Sequence, residues 1–206
     1  MMRAMLIKRL IQLHLGLAAY GVSLALMVRA NLGLDPWDVF HEGLSDRIGL
    51  SFGMTVNLVG LLVLLAWWPI RQKPGIGTVM NVLLIGTVAD LTLFVMPELT
   101  GYAMRALLLV CAIGLNGVAT ASYIGAGLGP GPRDGLMTGV CGRTGWPVGR
   151  VRLGIELVVL ASGFALGGTV GLGTVLYAVA IGPLVHWLLP RFTLKPGTAP
   201  VPAPAE

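Results

Sequence analysis

Apolar residues gather into long stretches along this chain, divided by short polar connections. Six stretches run roughly over Leu10–Arg29, Gly53–Ile70, Ile76–Met96, Ala103–Tyr123, Val148–Leu166 and Leu172–Leu189. Each is near the ~20 residues needed to cross a hydrocarbon core ~30 Å thick. The pattern predicts an all-α integral membrane protein with six transmembrane helices. The fifth stretch departs from the rest, because Arg150, Arg152 and Glu156 fall in its first turns.

Two further segments, Pro36–Gly49 and Pro132–Gly145, are too short to span a bilayer and too apolar for ordinary loops. In the first, Trp37, Phe40, Leu44 and Ile48 recur every three or four residues, while Asp38, Glu42 and Asp46 fall between them. That is the period of an amphipathic helix, interfacial or re-entrant.

Composition supports a membrane environment. Of 206 residues, 55% are hydrophobic and 11% charged, with a mean hydropathy of +0.83. Soluble domains carry about 25% charged residues, so most of this exterior is expected to face lipid. The net charge of +5 does not point to nucleic acid, because Lys and Arg flank the apolar stretches without forming a basic run. They act as topology signals instead. With the N-terminus cytoplasmic, Arg3, Lys8, Arg9, Arg71, Lys73, Arg133, Arg143, Arg150, Arg152, Arg191 and Lys195 lie inside and only Arg29, Arg47 and Arg105 outside. The expected location is thus a bacterial plasma membrane, multi-pass, with both termini cytoplasmic. The first apolar run is too long for a signal peptide and reads as a first span. Residues 193–206, rich in Pro and Ala, read as a disordered cytoplasmic tail.

The chain also repeats itself. Shifted by 96 residues, Leu32-Gly33 falls on Leu128-Gly129, Pro36 on Pro132, Asp38 on Asp134, Gly43 on Gly139, Arg47 on Arg143 and Gly53 on Gly149. Gly75, Gly77, Thr78 and Val79 fall on Gly171, Gly173, Thr174 and Val175, and Ile85-Gly86 on Ile181-Gly182. Identities number 17 across the 55 positions of Leu32–Gly86, where about five are expected by chance. Residues 1–97 and 98–192 therefore read as two three-helix repeats. An odd number of spans per copy inverts the second, an arrangement that places a binding site near the membrane midplane.

Pro36 and Pro132 suit the first position of a helix, behind N-cap residues Asp35 and Gly131. Asp38 and Asp134 then fall at the third position, where a carboxylate favours the positive helix end; the other use of these carboxylates is ligand binding or proton coupling. Two short helices entering from opposite faces would aim their N-termini at one central site suited to anionic groups. The expected substrate-binding set is Gly33, Pro36, Asp38, Gly129, Pro132, Arg133 and Asp134, the glycines permitting close backbone approach to a ligand or simply tight turns. Asn57, Asn81, Asp90, Asn116, Glu156 and His186 are polar groups at membrane depth and join the candidates. Arg152 and Glu156 have the spacing of a helical ion pair. Asp90 and His186 are repeat counterparts that inversion keeps apart. His14 and His41 read as boundary residues without chemistry. Gly75-x-Gly77-Thr78 and its twin lack the lysine of a phosphate loop and read as close helix packing. Neither cysteine sits in disulfide or metal spacing, and no catalytic motif occurs. No enzyme activity, cofactor or metal is expected.

Three segments carry a family resemblance: Ala30-Asn31-Leu32-Gly33-Leu34-Asp35-Pro36-Trp37-Asp38, Arg71-Gln72-Lys73-Pro74-Gly75-Ile76-Gly77-Thr78, and Gly127-Leu128-Gly129-Pro130-Gly131-Pro132-Arg133-Asp134-Gly135. With Trp146, Gly149 through Glu156, and Gly168 through Thr174, they resemble the YczE-like family of bacterial integral membrane proteins, related to the YitT group. The resemblance covers nearly the whole chain apart from its tail and carries over no substrate and no catalytic residue. It implies a setting in amino-acid or vitamin metabolism, or in antibiotic production. The expected function is a small secondary permease or exporter of a small polar or anionic metabolite. The competing expectation is a non-transporting scaffold or regulator that docks a biosynthetic enzyme through Arg133, Arg143 and Arg150. The expected partners are the lipid bilayer and a small-molecule substrate, with no nucleic acid. A homodimer is permitted but not required.

Overall fold

A computed structural model of the chain describes residues 2–194, so most of the tail from Thr193 lies outside the described residues. Among those residues nine helices form and no strand: α1 Met2–Ala30, α2 Pro36–Ile48, α3 Phe52–Leu65, α4 Trp67–Ile70, α5 Ile76–Val95, α6 Tyr102–Gly125, α7 Pro132–Thr144, α8 Val148–Leu166 and α9 Leu172–Phe192. Five helical stretches are long and apolar enough to cross a membrane: α1, α3 continued by α4, α5, α6 and α9. The expected fifth span forms as α8 and has 19 residues, but Arg150, Arg152 and Glu156 leave it short of that apolarity.

Sequence chemistry sets the helix ends. The stretch expected to run unbroken from Gly53 to Ile70 divides at Ala66. Pro69 has no N–H to give the Leu65 carbonyl and its ring crowds that oxygen, so the helix turns there. Both α2 and α7 open on a proline and close on a left-handed glycine, Gly49 at φ 70° and Gly145 at φ 69°. Only glycine takes that conformation without strain.

Helices α1 and α6 form the centre, with α5 packed on α1 and α9 on α6. Leu13, Leu17, Tyr20 and Leu24 of α1 recur at helical spacing and bury against Ile85 and Ala89 of α5 and Ala119 and Tyr123 of α6. Met27 and Ala30 of α1 meet Leu109, Ala112 and Ile113 of α6 and Tyr177 and Ile181 of α9 in a second cluster. Small residues let these backbones approach closely: Gly21 lies against Ile85, Val88 and Ala89, and Gly117 against Leu184. Outside, Leu15, Leu61, Phe94, Val110, Leu157 and Val179 stand exposed, an apolar rim that only lipid satisfies.

Many contacts recur in pairs related by 96 residues. The Gly173 N–H donates to the Leu32 carbonyl at 2.7 Å, and the Gly77 N–H to the Leu128 carbonyl at 2.8 Å. Gly33 abuts Gly171 and Thr174, while Gly129 abuts Gly75 and Thr78. Gly43 lies against Leu166 and Gly168, and Gly139 against Ile70 and Gln72. Each member of a pair joins one half of the chain to the other, so the contacts are reciprocal, as in a two-fold assembly.

One pair breaks the correspondence. Gly53 of α3 and Gly86 of α5 are so close that a Cβ on either would overlap the other's carbonyl oxygen. Their counterparts Gly149 of α8 and Gly182 of α9 have open space where a Cβ would sit. The first seam is closed and pinned; the second is open.

Candidate functional site

The N-termini of α2 and α7 converge beside the central helices on a cavity of about 240 Å³. Asp35, Pro36, Trp37 and His41 line it from the first half and Gly131, Pro132, Arg133 and Asp134 from the second. Tyr20, Tyr123 and Tyr177 come from α1, α6 and α9, and Arg152 and Glu156 from α8. The cavity extends beside both seams, past Val56 and Val59 of α3 and Val82 and Ile85 of α5 as well as Ile181, Gly182 and Val185 of α9.

Local sequence explains the placement. Asp35 is the N-cap of α2, its Oδ1 accepting the N–H groups of Trp37 at 2.8 Å and Asp38 at 3.1 Å. That leaves Asp38 free for another task, contrary to the helix-capping expectation. Asp38 is fully buried; its Oδ1 lies 2.9 Å from Nδ1 of His41 and 3.5 Å from Nη2 of Arg133. Nη1 of Arg133 lies 3.7 Å from Asp35 Oδ1. The Oδ2 atoms of Asp35 and Asp38 are buried without a hydrogen-bond partner. Helix α7 begins differently: its N-cap, Gly131, has no side chain to receive the first N–H groups, and Asp134 accepts from the Tyr123 hydroxyl at 2.8 Å instead of capping.

The guanidinium of Arg133 stacks over the Trp37 ring at 4.9 Å, a cation–π contact. Trp37 and Arg133 are counterparts under the 96-residue shift. The Arg133 side chain keeps 28% of its surface exposed, against 2% and 0% for its partners Asp35 and Asp38. Of these three groups Arg133 is the one turned to the cavity; Asp35 and Asp38 stand behind it.

Other expected site residues turn out to hold helices together. Gly33 and Gly129, at φ 110° and 123°, approach the backbones of Gly171 and Gly75. Asp90 accepts from the Gly53 N–H at 2.7 Å, the Met54 N–H at 3.2 Å and the Ser51 hydroxyl, so it caps α3 and pins the closed seam. Asn57 adds to that seam by accepting from the Gly86 N–H at 3.0 Å. Asn116 donates to Ser23 at 2.8 Å and accepts from the Tyr177 hydroxyl at 3.0 Å, fixing a tyrosine of the cavity wall. Glu156 pairs with Arg152 at 2.8 Å. His186 is exposed on α9. Thr78 accepts from the Gly75 N–H and donates to the Pro130 carbonyl at 2.7 Å, the close helix packing its motif predicted. Among the described residues no three His, Cys, Asp or Glu side chains are grouped to hold a metal ion.

Sequence reasoning missed His41, which is buried on Asp38, and the three cavity tyrosines. It also left open which face of α2 is buried, and Trp37 of the apolar stripe is buried along with the polar residues. Phe40 and Leu44 are half-buried and Ile48 exposed, whereas Asp38, His41 and Ser45 are buried. In lipid the apolar stripe is the outer one. Periodicity finds a stripe without saying which side is solvent. The usable signal was the repeat itself, since Tyr177 is the counterpart of Asn81 and both line the cavity.

Residues 7–190 match a protein family described as a family of unknown function, DUF6198. The chain belongs to it. It is 37% identical over 174 residues to an uncharacterized membrane protein, YczE, of Bacillus subtilis, covering 84% of this chain and 80% of the relative. An uncharacterized protein of Haemophilus influenzae is 36% identical over 173 residues, 84% and 79% of the two chains. Uncharacterized protein YyaS of Bacillus subtilis is 26% identical over 180 residues, 85% and 90%. No solved structure matches. The YczE-like resemblance is established, and with it a multi-pass membrane protein.

Proposed function

We propose that the chain is a small secondary permease of the bacterial plasma membrane, built from two inverted three-helix repeats with six membrane helices, α8 among them. It moves a small polar or anionic metabolite through the cavity between α2 and α7. The supporting observation is the combination of reciprocal contacts with one unequal pair. Closed at Gly53–Gly86 and open at Gly149–Gly182, the molecule has a counterpart state of similar make-up in which the seams exchange. Alternating access by inverted repeats is this exchange. With both termini cytoplasmic, the open seam faces inward. Arg150, Arg152 and Glu156, at the wet end of α8, then line the inner vestibule, which accounts for the low apolarity of that span.

A docking scaffold draws less support, because Arg133, one of its three proposed contact residues, lies in the cavity instead of on an outer face. The permease predicts flux of at least one small metabolite in proteoliposomes, lost in Arg133→Gln. A null result across a broad panel removes it. The inversion is tested separately by single cysteines at two exposed counterpart positions, Asp46 and Gly142. An impermeant thiol reagent labels them from opposite sides; labelling from one side refutes the inversion.

A further inference from the structure

The cavity brings together two buried carboxylates, one part-buried guanidinium and one uncapped helix end, and these are unequally satisfied. The Arg133 nitrogens stand 3.5 and 3.7 Å from the Asp38 and Asp35 oxygens, at or beyond the outer limit of a hydrogen bond. The face of Trp37 also holds the guanidinium, at 4.9 Å. Its fork of donors remains open to the cavity, next to the first N–H groups of α7, which Gly131 cannot cap. A guanidinium beside a free helix N-terminus recognises a carboxylate, sulfonate or phosphate group.

The carboxylates are in the opposite condition. Asp35 and Asp38 are within a few per cent of complete burial, and each has an Oδ2 atom with no donor. Two carboxylates facing one guanidinium carry one uncancelled negative charge, and a monoanion arriving at Arg133 adds a second. A buried carboxylate that has lost its counter-ion is strongly disfavoured. A proton resolves the imbalance, since a protonated carboxyl can donate to a neighbouring carboxylate oxygen.

We propose that Arg133 binds the anionic group of the substrate while the Asp35–Asp38 pair takes up one proton, so that anion and proton bind together. The proton comes from hydronium reaching the cavity through its water: one O–H bond of hydronium breaks, leaving a water molecule, and one O–H bond forms on one of the two unpartnered Oδ2 atoms. Arg133 swaps its counter-ions for the substrate without the buried site gaining charge. The inference rests on the permease reading and adds to it a substrate charge and a coupling ion. Other ionisable groups surround the pair: Tyr20 on α1, His41 and Glu42 on α2, Tyr123 on α6, Asp134 on α7, Arg152 and Glu156 on α8, and Tyr177 on α9. His41 and Asp134 already have partners at 2.9 and 2.8 Å, and Arg152 and Glu156 pair with each other. The Asp35–Asp38 pair is the one holding orphaned carboxylate oxygens among the described residues.

The test uses the full-length protein, purified in weakly buffered detergent solution near neutral pH, with isethionate as probe. Isethionate is a small monoanion that does not itself titrate there, so any proton movement belongs to the protein. It should stabilise the wild type against heating, with uptake of one proton per molecule bound, read by an indicator dye. Arg133→Gln should weaken binding about tenfold or more, and Arg133→Lys less. Asp35→Asn/Asp38→Asn should keep the binding and lose the proton uptake; Asn preserves the cap of α2. No stabilisation of the wild type, binding without proton uptake, or proton uptake that survives in the double Asn variant each overturns the proposal. Failure of the permease reads differently. Proton-linked isethionate binding without metabolite flux in proteoliposomes removes transport and keeps the site. Flux without any proton movement removes the coupling and keeps the permease.

Discussion

Gly86→Ala offers a sharp test of seam exchange, because its counterpart Gly182→Ala is the same chemical change in an open setting. A Cβ at Gly86 overlaps the Gly53 carbonyl oxygen and crowds the Asn57 amide that accepts from the Gly86 N–H. The obstructing atoms include backbone, which yields only by parting α3 from α5. Over-packing of this kind destabilises by about 1–3 kcal/mol. A middle value of about 2 kcal/mol changes the ratio of closed to open seam by roughly thirtyfold. At Gly182 a Cβ meets nothing, so the closed α3–α5 seam is undisturbed there. Both substitutions gain the same helix propensity, about 0.5–1 kcal/mol, so their difference isolates the seam. The assay is the labelling rate of single cysteines with an impermeant maleimide, after replacing Cys111 and Cys141. Ala89→Cys reports the core that α5 shares with α1 and α3, where that residue is fully buried, and its counterpart Val185→Cys reports the open cavity wall. Gly86→Ala should raise labelling of Ala89→Cys and lower that of Val185→Cys. Gly182→Ala should leave the first unchanged and hold the second high. If both substitutions move the two reporters in the same direction, or Gly86→Ala moves neither, the seams do not exchange.

Three further outcomes are expected. Trp67→Ala empties the space against Gly135 and removes a donor to the Pro132 carbonyl; thermal unfolding in detergent should show a loss of about 3–5 kcal/mol, and a negligible change would mean that α4 does not support α7. Ser51→Ala removes the N-cap of α3, whose hydroxyl accepts from the Met54 N–H and donates to Asp90, and should cost about 1 kcal/mol, whereas Ser51→Gly should cost a few tenths. Glu156→Gln breaks a partly exposed i,i+4 pair with Arg152 and should alter stability by less than about 0.5 kcal/mol; a larger loss would show that the pair supports the cavity.

The helices were legible because lipid imposes a simple rule: apolar length is span, and proline and glycine mark the ends. Hence α1, α5, α6 and α9 appear near the expected positions, and both short helices start on their prolines. The division at Ala66 escaped because apolar length alone does not register a proline, and Pro69 lies inside the stretch. The site was half legible. Pro36, Pro132, Arg133 and Asp134 of the expected set line one cavity, and Asp35, read from the sequence only as an N-cap, lines it too. The roles moved, however, because capping is decided by which side chain reaches the free N–H groups first, and Asp35 does so ahead of Asp38. His41 looked like a boundary residue because sequence distance from the apolar stretches says nothing about a helix folded back among them. Gly33 and Gly129 looked suited to a ligand because close approach to a backbone and close approach to a small molecule demand the same missing side chain.

The Trp37–Arg133 stack bears on how the chain arose. A pair of separate, identical three-helix proteins related by a dyad would set indole against indole there, or guanidinium against guanidinium. On the proposed repeat architecture, one copy keeps the aromatic and the other the cation only after their sequences diverge. The halves have since become complementary instead of interchangeable, so neither, expressed alone and allowed to self-associate, would rebuild the charged cavity of the fused protein.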